Sequence, residues 1–395
     1  MSNSPMFSKP VRVLHIITRM IVGGAQENTM YTAALLDKDL FHVDLLCGPQ
    51  TGSEGSLIEE THDLKVNLTI LPELVREVNP WKDIIALLKL YRYIKQGNYA
   101  IVHTHSSKAG ILGRLAAKIA TTPVIIHTVH GWSFHDYMPW LKKTTYIFLE
   151  RIMGSFCQKI IVVSCIDQEK GLKNHIGKPE QYQLIRSAIP LDKFQPRIEL
   201  KAKIRQELGI PINAPVVGNI GRLSPQKNPL EWVQIAALIK RQIPNVHFLL
   251  VGDGPLHAQV VEQLQNEGIL NVTHLSGLRR DVNHLLNAID VFLLTSLWEG
   301  LPRVIPEAMC IGIPVVAYQV DGIAEIIRHG INGFLCEPHQ LEKAAEYCVE
   351  LIKNPSLRQS MINASRQSIQ SEFDLNKMIQ NIQQLYLANI QERIQ

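Results

Sequence analysis

Short β-branched apolar runs alternate with stretches of helical period along the whole chain, and this alternation does most to restrict the fold. The runs Val11–Thr18, His42–Cys47, Val66–Leu71, Ala100–Thr104, Val124–Val129, Lys159–Ser164 and Gln183–Arg186 predict strands. Between them lie helical patterns: one from the glycine turn at Gly23-Gly24 through about Leu36, then Asp83–Gln96 and Ala109–Ala120. Strands joined through covering helices pair in parallel, with both sheet faces buried. The series breaks at Ser187–Glu199, which holds two prolines and no period, and reads as a linker. A second series then runs through Val216–Ile220, Val246–Val251, Val272–Leu275, Val291–Thr295, Val315–Tyr318 and Gly333–Cys336. Leu341–Ile394 is helical in pattern throughout.

A chain of 395 residues exceeds the roughly 250 to 300 at which a single core stops growing. The expected architecture is therefore α/β: two Rossmann-like, doubly wound domains facing a cleft, followed by C-terminal helices. The expected bounds are 1–190, 191–372 and a helix at 373–395 able to cross back to the first domain.

Composition excludes several classes. With 46% hydrophobic and 19% charged residues the chain is globular rather than disordered. Its longest apolar runs fall far short of the roughly 20 residues of a membrane-spanning helix. Met1–Pro10 has one lysine and no apolar core, so it reads as a frayed arm and not a secretory signal. Six cysteines without a CxxC pair or metal spacing fit packing thiols in a reducing compartment. Residues 1–190 carry 21 Lys+Arg against 16 Asp+Glu, and 191–395 carry 19 against 20. A first half at +5 is too mild for nucleic acid but suits an anionic small ligand or membrane surface. A cytoplasmic protein, at the inner face of the plasma membrane when it meets lipid, is the expectation.

In open parallel sheets ligands bind beyond the carboxyl ends of the strands. After the first strand, Gly23 and Gly24 precede a helix, where backbone amides favour phosphate. A plain tight turn accounts for the same pair. The dinucleotide fingerprint GxGxxG is absent. In the second half, Gly221-Arg222-Leu223 ends a strand, and Lys227 lies five residues beyond Arg222, so both cations can converge on one anion. Gly252-Asp253-Gly254 ends the next strand, with Asp253 expected to cap the following helix. The turn around Leu278 is placed to line a base pocket.

Glu299-Gly300-Leu301-Pro302 leads into a helix bearing Glu307. Eight residues of continuous helix would separate the two carboxylates by about 12 Å, too far for one acid/base dyad. They are expected to read different parts of one ligand while amides at Gly300 to Arg303 meet negative charge. In the first half, His103 and His105 follow one strand, and His127, His130 and His135 follow another. These spacings match no metal motif, and no metal site is expected.

The Glu-x7-Glu stretch Glu299–Glu307, with Gly300-Leu301-Pro302 inside it and Gly312-Ile313-Pro314 after it, resembles the retaining glycosyltransferases of family 4, which have the GT-B fold. Gly221-Arg222-Leu223 with Lys227, the Gly252 turn and Gly23-Gly24 carry the same resemblance, which spans essentially the whole chain. It implies a hexosyltransferase whose Arg222 and Lys227 neutralise the donor diphosphate and leaving group. Glu307 would hold the ribose hydroxyls, Glu299 those of the transferred sugar, and His130 would sit beside that sugar. Gly23 and Gly24 would cover the diphosphate and acceptor, with Gly252, Leu278, Gly300, Leu301 and Pro302 completing the donor site. The resemblance implies no metal and no cofactor beyond a nucleotide-sugar co-substrate, UDP- or GDP-linked.

The first-domain blocks His103–Gly113 and His127–Asp136 resemble a bacterial subgroup of surface and exopolysaccharide enzymes, which implies a glycan or lipid-linked acceptor. Trp81, Tyr91, Tyr93, Trp132, Phe134, Tyr137 and Trp140, near several lysines, make either an interfacial surface or amphipathic helices whose aromatics are core. Two rivals stay open on sequence: a nucleotide-sugar epimerase of the same fold, and a catalytically silent scaffold of a polysaccharide assembly complex.

Overall fold

The computed structural model describes residues 9–50, 52 and 54–394; the expected N-terminal arm falls largely on residues 1–8, outside the described ones. Among the described residues thirteen strands form two all-parallel sheets. The first contains β1 (Val11–Ile17), β2 (Phe41–Cys47), β3 (Asn67–Ile70), β4 (Ile101–His105), β5 (Val124–Val129), β6 (Lys159–Val162) and β7 (Tyr182–Leu184). Its strand order is β3-β2-β1-β4-β5-β6-β7. The second contains β8 (Val216–Ile220), β9 (His247–Val251), β10 (Thr273–Leu275), β11 (Val291–Leu294), β12 (Val315–Tyr318) and β13 (Phe334–Cys336), in the order β10-β9-β8-β11-β12-β13. Each order reverses once, between β1 and β4 and between β8 and β11, as in doubly wound dinucleotide-binding sheets.

Burial explains why the strands read as unbroken apolar runs: β11 and β12 have every residue buried beneath helices on both faces. The core of the second unit centres on Trp232, fully buried, whose indole N–H donates to the Leu293 carbonyl at 3.1 Å. Three central strands of the first sheet also bury polar side chains: β1 holds His15, β5 holds His127 and Thr128 within the strand, and β4 holds the most. Its sequence Ile-Val-His-Thr-His is buried throughout, so His103 and His105 lie within the strand and not beyond its end.

The chain divides into two compact units, 1–187 with 376–395, and 188–375. The second boundary falls inside the helix Leu375–Ile394, whose residues from Asn376 pack with the first unit. Asn28 Nδ2 lies 3.1 Å from Met378 Sδ, and the Tyr386 ring meets Phe41 edge-on at 5.8 Å. The expected linker Ser187–Glu199 contains a 3-10 turn, Leu191–Lys193, and the first residues of a helix, Ile198–Glu207. Leu341–Ile394 is three helices, broken at Asn354 before Pro355 and at 373–374. Among the described residues no helix is long and apolar enough to cross a membrane.

One buried ion pair joins the helices Ser107–Ile119 and Trp140–Gly154: Arg114 Nη2 meets Glu150 Oε2 at 2.7 Å, and Arg114 Nε donates to the Gly110 carbonyl. Both side chains are almost wholly buried, so removing one strands the other's charge. Arg114→Met is expected to cost about 3–5 kcal/mol in urea unfolding, with much of it recovered in Arg114→Met/Glu150→Leu. A double variant as unstable as the single one would refute this account.

Candidate active site

In the second unit the candidate side chains lie on loops that leave the sheet where its order reverses. β8 delivers Gly221 and Arg222, and β11 delivers the loop to Glu299. The two loops are stitched together. Leu297 N–H donates to the Gln226 carbonyl at 2.8 Å, and Gln226 Nε2 donates to the Trp298 carbonyl at 2.9 Å. The Thr295 hydroxyl lies 3.0 Å from the carbonyls of Lys227 and Asn228. Asn228, in the left-handed region at φ 50°, turns the chain into the helix Pro229–Gln242.

These backbone bonds bring Lys227 Nζ into a short charge-assisted hydrogen bond with Glu299 Oε1. Glu299 is nearly buried, and its own N–H donates to Asp321 Oδ2 at 2.8 Å. Glu299 thus stands in the loop, before the helix Val304–Ile311 that carries Glu307. Glu307 is buried beside Arg303, whose Nη2 lies 3.9 Å from its Oε1 across one helical turn. The two carboxylates therefore have different cationic partners, consistent with separate tasks.

Glycines set the position of Arg222. Gly252, at φ 131°, lies so close to the β8 loop that an added Cβ would come within 2.1 Å of the Gly221 carbonyl oxygen. A Cβ on Gly254 would come within 2.4 Å of the Leu223 carbonyl oxygen. The packed loops exchange hydrogen bonds: Gly221 N–H to the Val251 carbonyl, Leu223 N–H to that of Asp253, and Gly252 N–H to that of Gly277. Asp253 does not cap the next helix. That helix, His257–Asn266, begins after Leu256, and the Asp253 carboxylate accepts from Gly254 N–H at 2.7 Å within the turn. Leu278 is exposed beside Gly277, while Gly300, Leu301 and Pro302 are buried.

In the first unit, Gly23 has ordinary extended backbone and is the N-terminal cap of the helix Gly24–Leu35. A tight glycine-only turn is not what the pair provides. A cavity of about 740 Å³ opens beyond β1 and β4 and is lined by Thr18, Arg19, Gln26, Ser106, Lys108 and Leu141, among others. The Thr18 and Ser106 hydroxyls meet at 2.8 Å across the strand reversal. Arg19 pairs with Glu54, and Lys108 with Asp83. His130, at the end of β5, places Nε2 3.1 Å from His105 Nδ1. His15, His103 and His105 meet in the sheet, near enough for one nitrogen of each to lie within 4.8 Å of the others. His15, Arg303, Asp321 and Tyr386 were not singled out from the sequence. The Arg303–Glu307 spacing of four was a legible signal; the other three depend on pairings between distant elements.

The family profile "Glycosyltransferase Family 4" matches residues 22–193, and "Glycosyl transferases group 1" matches 201–368. The Escherichia coli protein named UDP-Gal:alpha-D-GlcNAc-diphosphoundecaprenol alpha-1,3-galactosyltransferase is 32% identical over 95% of this chain and 97% of its own. This chain belongs to the family 4 glycosyltransferases. The glycosyltransferase is also 24% identical to the capsular polysaccharide biosynthesis glycosyltransferase CapM of Staphylococcus aureus, over 80% of this chain and 84% of that one. Among solved structures, Anabaena HepE in complex with UDP and glucose superposes with a TM-score of 0.83 at 22% identity, covering 96% of this chain and 100% of that one. WaaG, a glycosyltransferase involved in lipopolysaccharide biosynthesis, gives a TM-score of 0.77 at 16% identity, over 95% and 99% of the two chains. These likenesses show the fold, GT-B, in which each of the two units here is one Rossmann-like domain.

The glycosyltransferase's Gly252 contact gives a direct test. Gly252→Ala is expected to destabilise the second unit by about 1–3 kcal/mol, because backbone must move. Gly209→Ala, also at positive φ but with nothing within 4 Å of the new methyl, should cost less. Equal shifts in thermal unfolding for the two variants would remove the clamp from the account.

Proposed function

We propose that this enzyme transfers a sugar, with retention of anomeric configuration, from a UDP- or GDP-sugar to a lipid-linked glycan acceptor, without a metal or other cofactor. The observation that carries the reading is the Lys227–Glu299 pair on stitched loops at the β8/β11 reversal, with Arg222 in the same loop as Lys227 and Glu307 on the helix that follows. In this reading Arg222 and Lys227 take the diphosphate, supplying electrostatic stabilisation as charge develops on the leaving group. Glu307 takes the ribose hydroxyls and Glu299 those of the transferred sugar. His130 is the first unit's contribution to that sugar, and the amides after Gly23 and Gly24 offer a helix N-terminus to negative charge. Gly252 and Leu278 shape the nucleotide end, and Gly300, Leu301 and Pro302 fix the loop between the two glutamates.

Retention is assigned to a front-face reaction. The bond from the anomeric carbon to the phosphate oxygen breaks, the bond to the acceptor oxygen forms on the same face, and the departing phosphate takes the acceptor proton. Glu299→Gln is expected to lower transfer about a hundredfold while nucleotide affinity changes less than about threefold. Equal loss of binding and transfer would contradict the role given to Glu299. An isomerised donor formed without acceptor would instead support an epimerase.

The acceptor class rests on the first unit and on the name of the E. coli relative. The 740 Å³ cavity combines apolar walls with Arg19, Arg76, Lys108 and Lys142 against one lining carboxylate, Asp83, a net cationic lining that suits an anionic amphiphile. Beside it, Trp81 on the helix Pro80–Gly97 is 80% exposed and Trp140 on Trp140–Gly154 is 75% exposed, with Ile84, Leu88, Leu141 and Phe148 also exposed. Tyr91, Tyr93 and Trp132 pack against the core and Phe134 is buried, which leaves the exposed Trp81, Tyr137 and Trp140 for the interfacial role in this reading. Exposed Lys82 and Lys142 border the apolar face, which suits peripheral contact with an anionic bilayer. Cosedimentation with phosphatidylglycerol vesicles should exceed that with phosphatidylcholine and weaken with salt. Trp81→Ser/Trp140→Ser should reduce it at least about tenfold. Unchanged binding by the double variant would exclude this face.

A further inference from the structure

Glu299 is held twice, once through its side chain and once through its backbone. β11 lies between β8 and β12, so the loop that leaves β11 runs between the loops that leave its two neighbours. On the β8 side, Leu297 N–H donates to the Gln226 carbonyl, Gln226 Nε2 donates to the Trp298 carbonyl, and Lys227 donates to the Glu299 carboxylate. On the β12 side stands Asp321, whose Oδ2 accepts the Glu299 N–H at 2.8 Å. A backbone N–H at so enclosed a residue needs a partner, and a carboxylate acceptor makes the bond a charge-assisted one.

Asp321 supplies that partner from a demanding conformation. It lies three residues past the end of β12 at φ 43°, in the left-handed region, just before Gly322 and the short helix Ile323–Ile326. Asp and Asn tolerate this backbone, and glycine adopts it at no steric cost. Turn geometry alone therefore asks for no carboxylate. Asp321 also sets a second acid beside Glu299, in a region that the proposed function assigns to an anionic donor, which is an electrostatic cost. What the residue contributes in return is the bond to Glu299 N–H.

The two holds differ in what outlasts a ligand. On the proposed function a diphosphate draws Lys227 away from the Glu299 carboxylate, whereas the bond to Asp321 involves no group assigned to the donor. We propose that Asp321 is a positioning residue that fixes the backbone of Glu299, and with it the place where the Glu299 carboxylate meets the hydroxyls of the transferred sugar. The bearing on the sugar rests on the role proposed above for Glu299; the hold on its backbone does not. Asp321 then governs affinity for the sugar half of the donor and leaves the nucleotide half to Arg222, Lys227 and Glu307.

The test uses the full-length protein and two substitutions that both accept the left-handed backbone. Asp321→Gly removes the acceptor without straining the chain, and Asp321→Asn keeps an acceptor oxygen at the same reach. Hydrogen exchange followed by mass spectrometry across Leu297–Arg303 should quicken about tenfold in Asp321→Gly, the effect of losing a hydrogen bond to a charged group, and stay near wild type in Asp321→Asn. Equilibrium binding is measured with UDP and GDP, and with UDP-glucose, UDP-galactose and GDP-mannose. For the nucleotide that the wild type binds, Asp321→Gly should change affinity less than about twofold while weakening its sugar conjugate about tenfold, and Asp321→Asn should lie within about threefold of wild type for both. Unchanged exchange in Asp321→Gly, equal loss of nucleotide and nucleotide-sugar affinity, or an Asp321→Asn variant no better than Asp321→Gly would overturn the proposal. Faster exchange that Asn reverses, in a protein that binds no nucleotide and transfers no sugar, would sink the proposed function and leave the hold on the Glu299 backbone standing.

Discussion

Parallel strands covered on both faces leave polar chemistry very few places to go. Along the inner strands the backbone groups are committed to the ladder and nearly every side chain is buried, so charge collects where the strand order reverses and neighbouring loops part. Both sheets obey this. The β1/β4 reversal carries Thr18, Ser106 and the cavity beyond them, and the β8/β11 reversal carries the Arg222 and Glu299 loops. Pairing β8 directly with β11 also lets Thr295 and Leu297 bond to the Gln226–Asn228 turn, which aligns Lys227 with Glu299.

What the sequence made legible is what depends on local period. β5, β8 and β12 were read with the bounds the structure has, and most other strands to within a residue or two, because buried parallel strands are rich in β-branched and other apolar residues. Features that depend on distant partners were less accessible. Asp253 has the composition of a helix cap, but the close approach of Gly252 and Gly254 to the β8 loop turns its carboxylate back to Gly254 N–H. Leu341–Ile394 reads as one helical field, yet Asn354-Pro355 and Phe373-Asp374 divide it, and its last helix packs with a sheet that begins at residue 11. Histidines read as strand-end groups are interior groups of β4, made tolerable by Tyr386 from that same last helix.

The Lys227–Glu299 pair shows why the loops at the β8/β11 reversal carry opposite charges. A largely buried carboxylate beside a half-buried ammonium would cost several kcal/mol if either lacked its partner. Pairing them keeps the loops folded before any ligand arrives. On the proposed function, a diphosphate offers Lys227 a stronger anion than Glu299, and the freed carboxylate becomes an acceptor for the hydroxyls of the incoming sugar. Part of the desolvation cost of binding is then already met in the unliganded loops, because both groups were withdrawn from water when the second unit folded. The same exchange ties sugar recognition to phosphate recognition: Glu299 is released only when something else neutralises Lys227, so a sugar without its diphosphate meets a carboxylate that is still occupied.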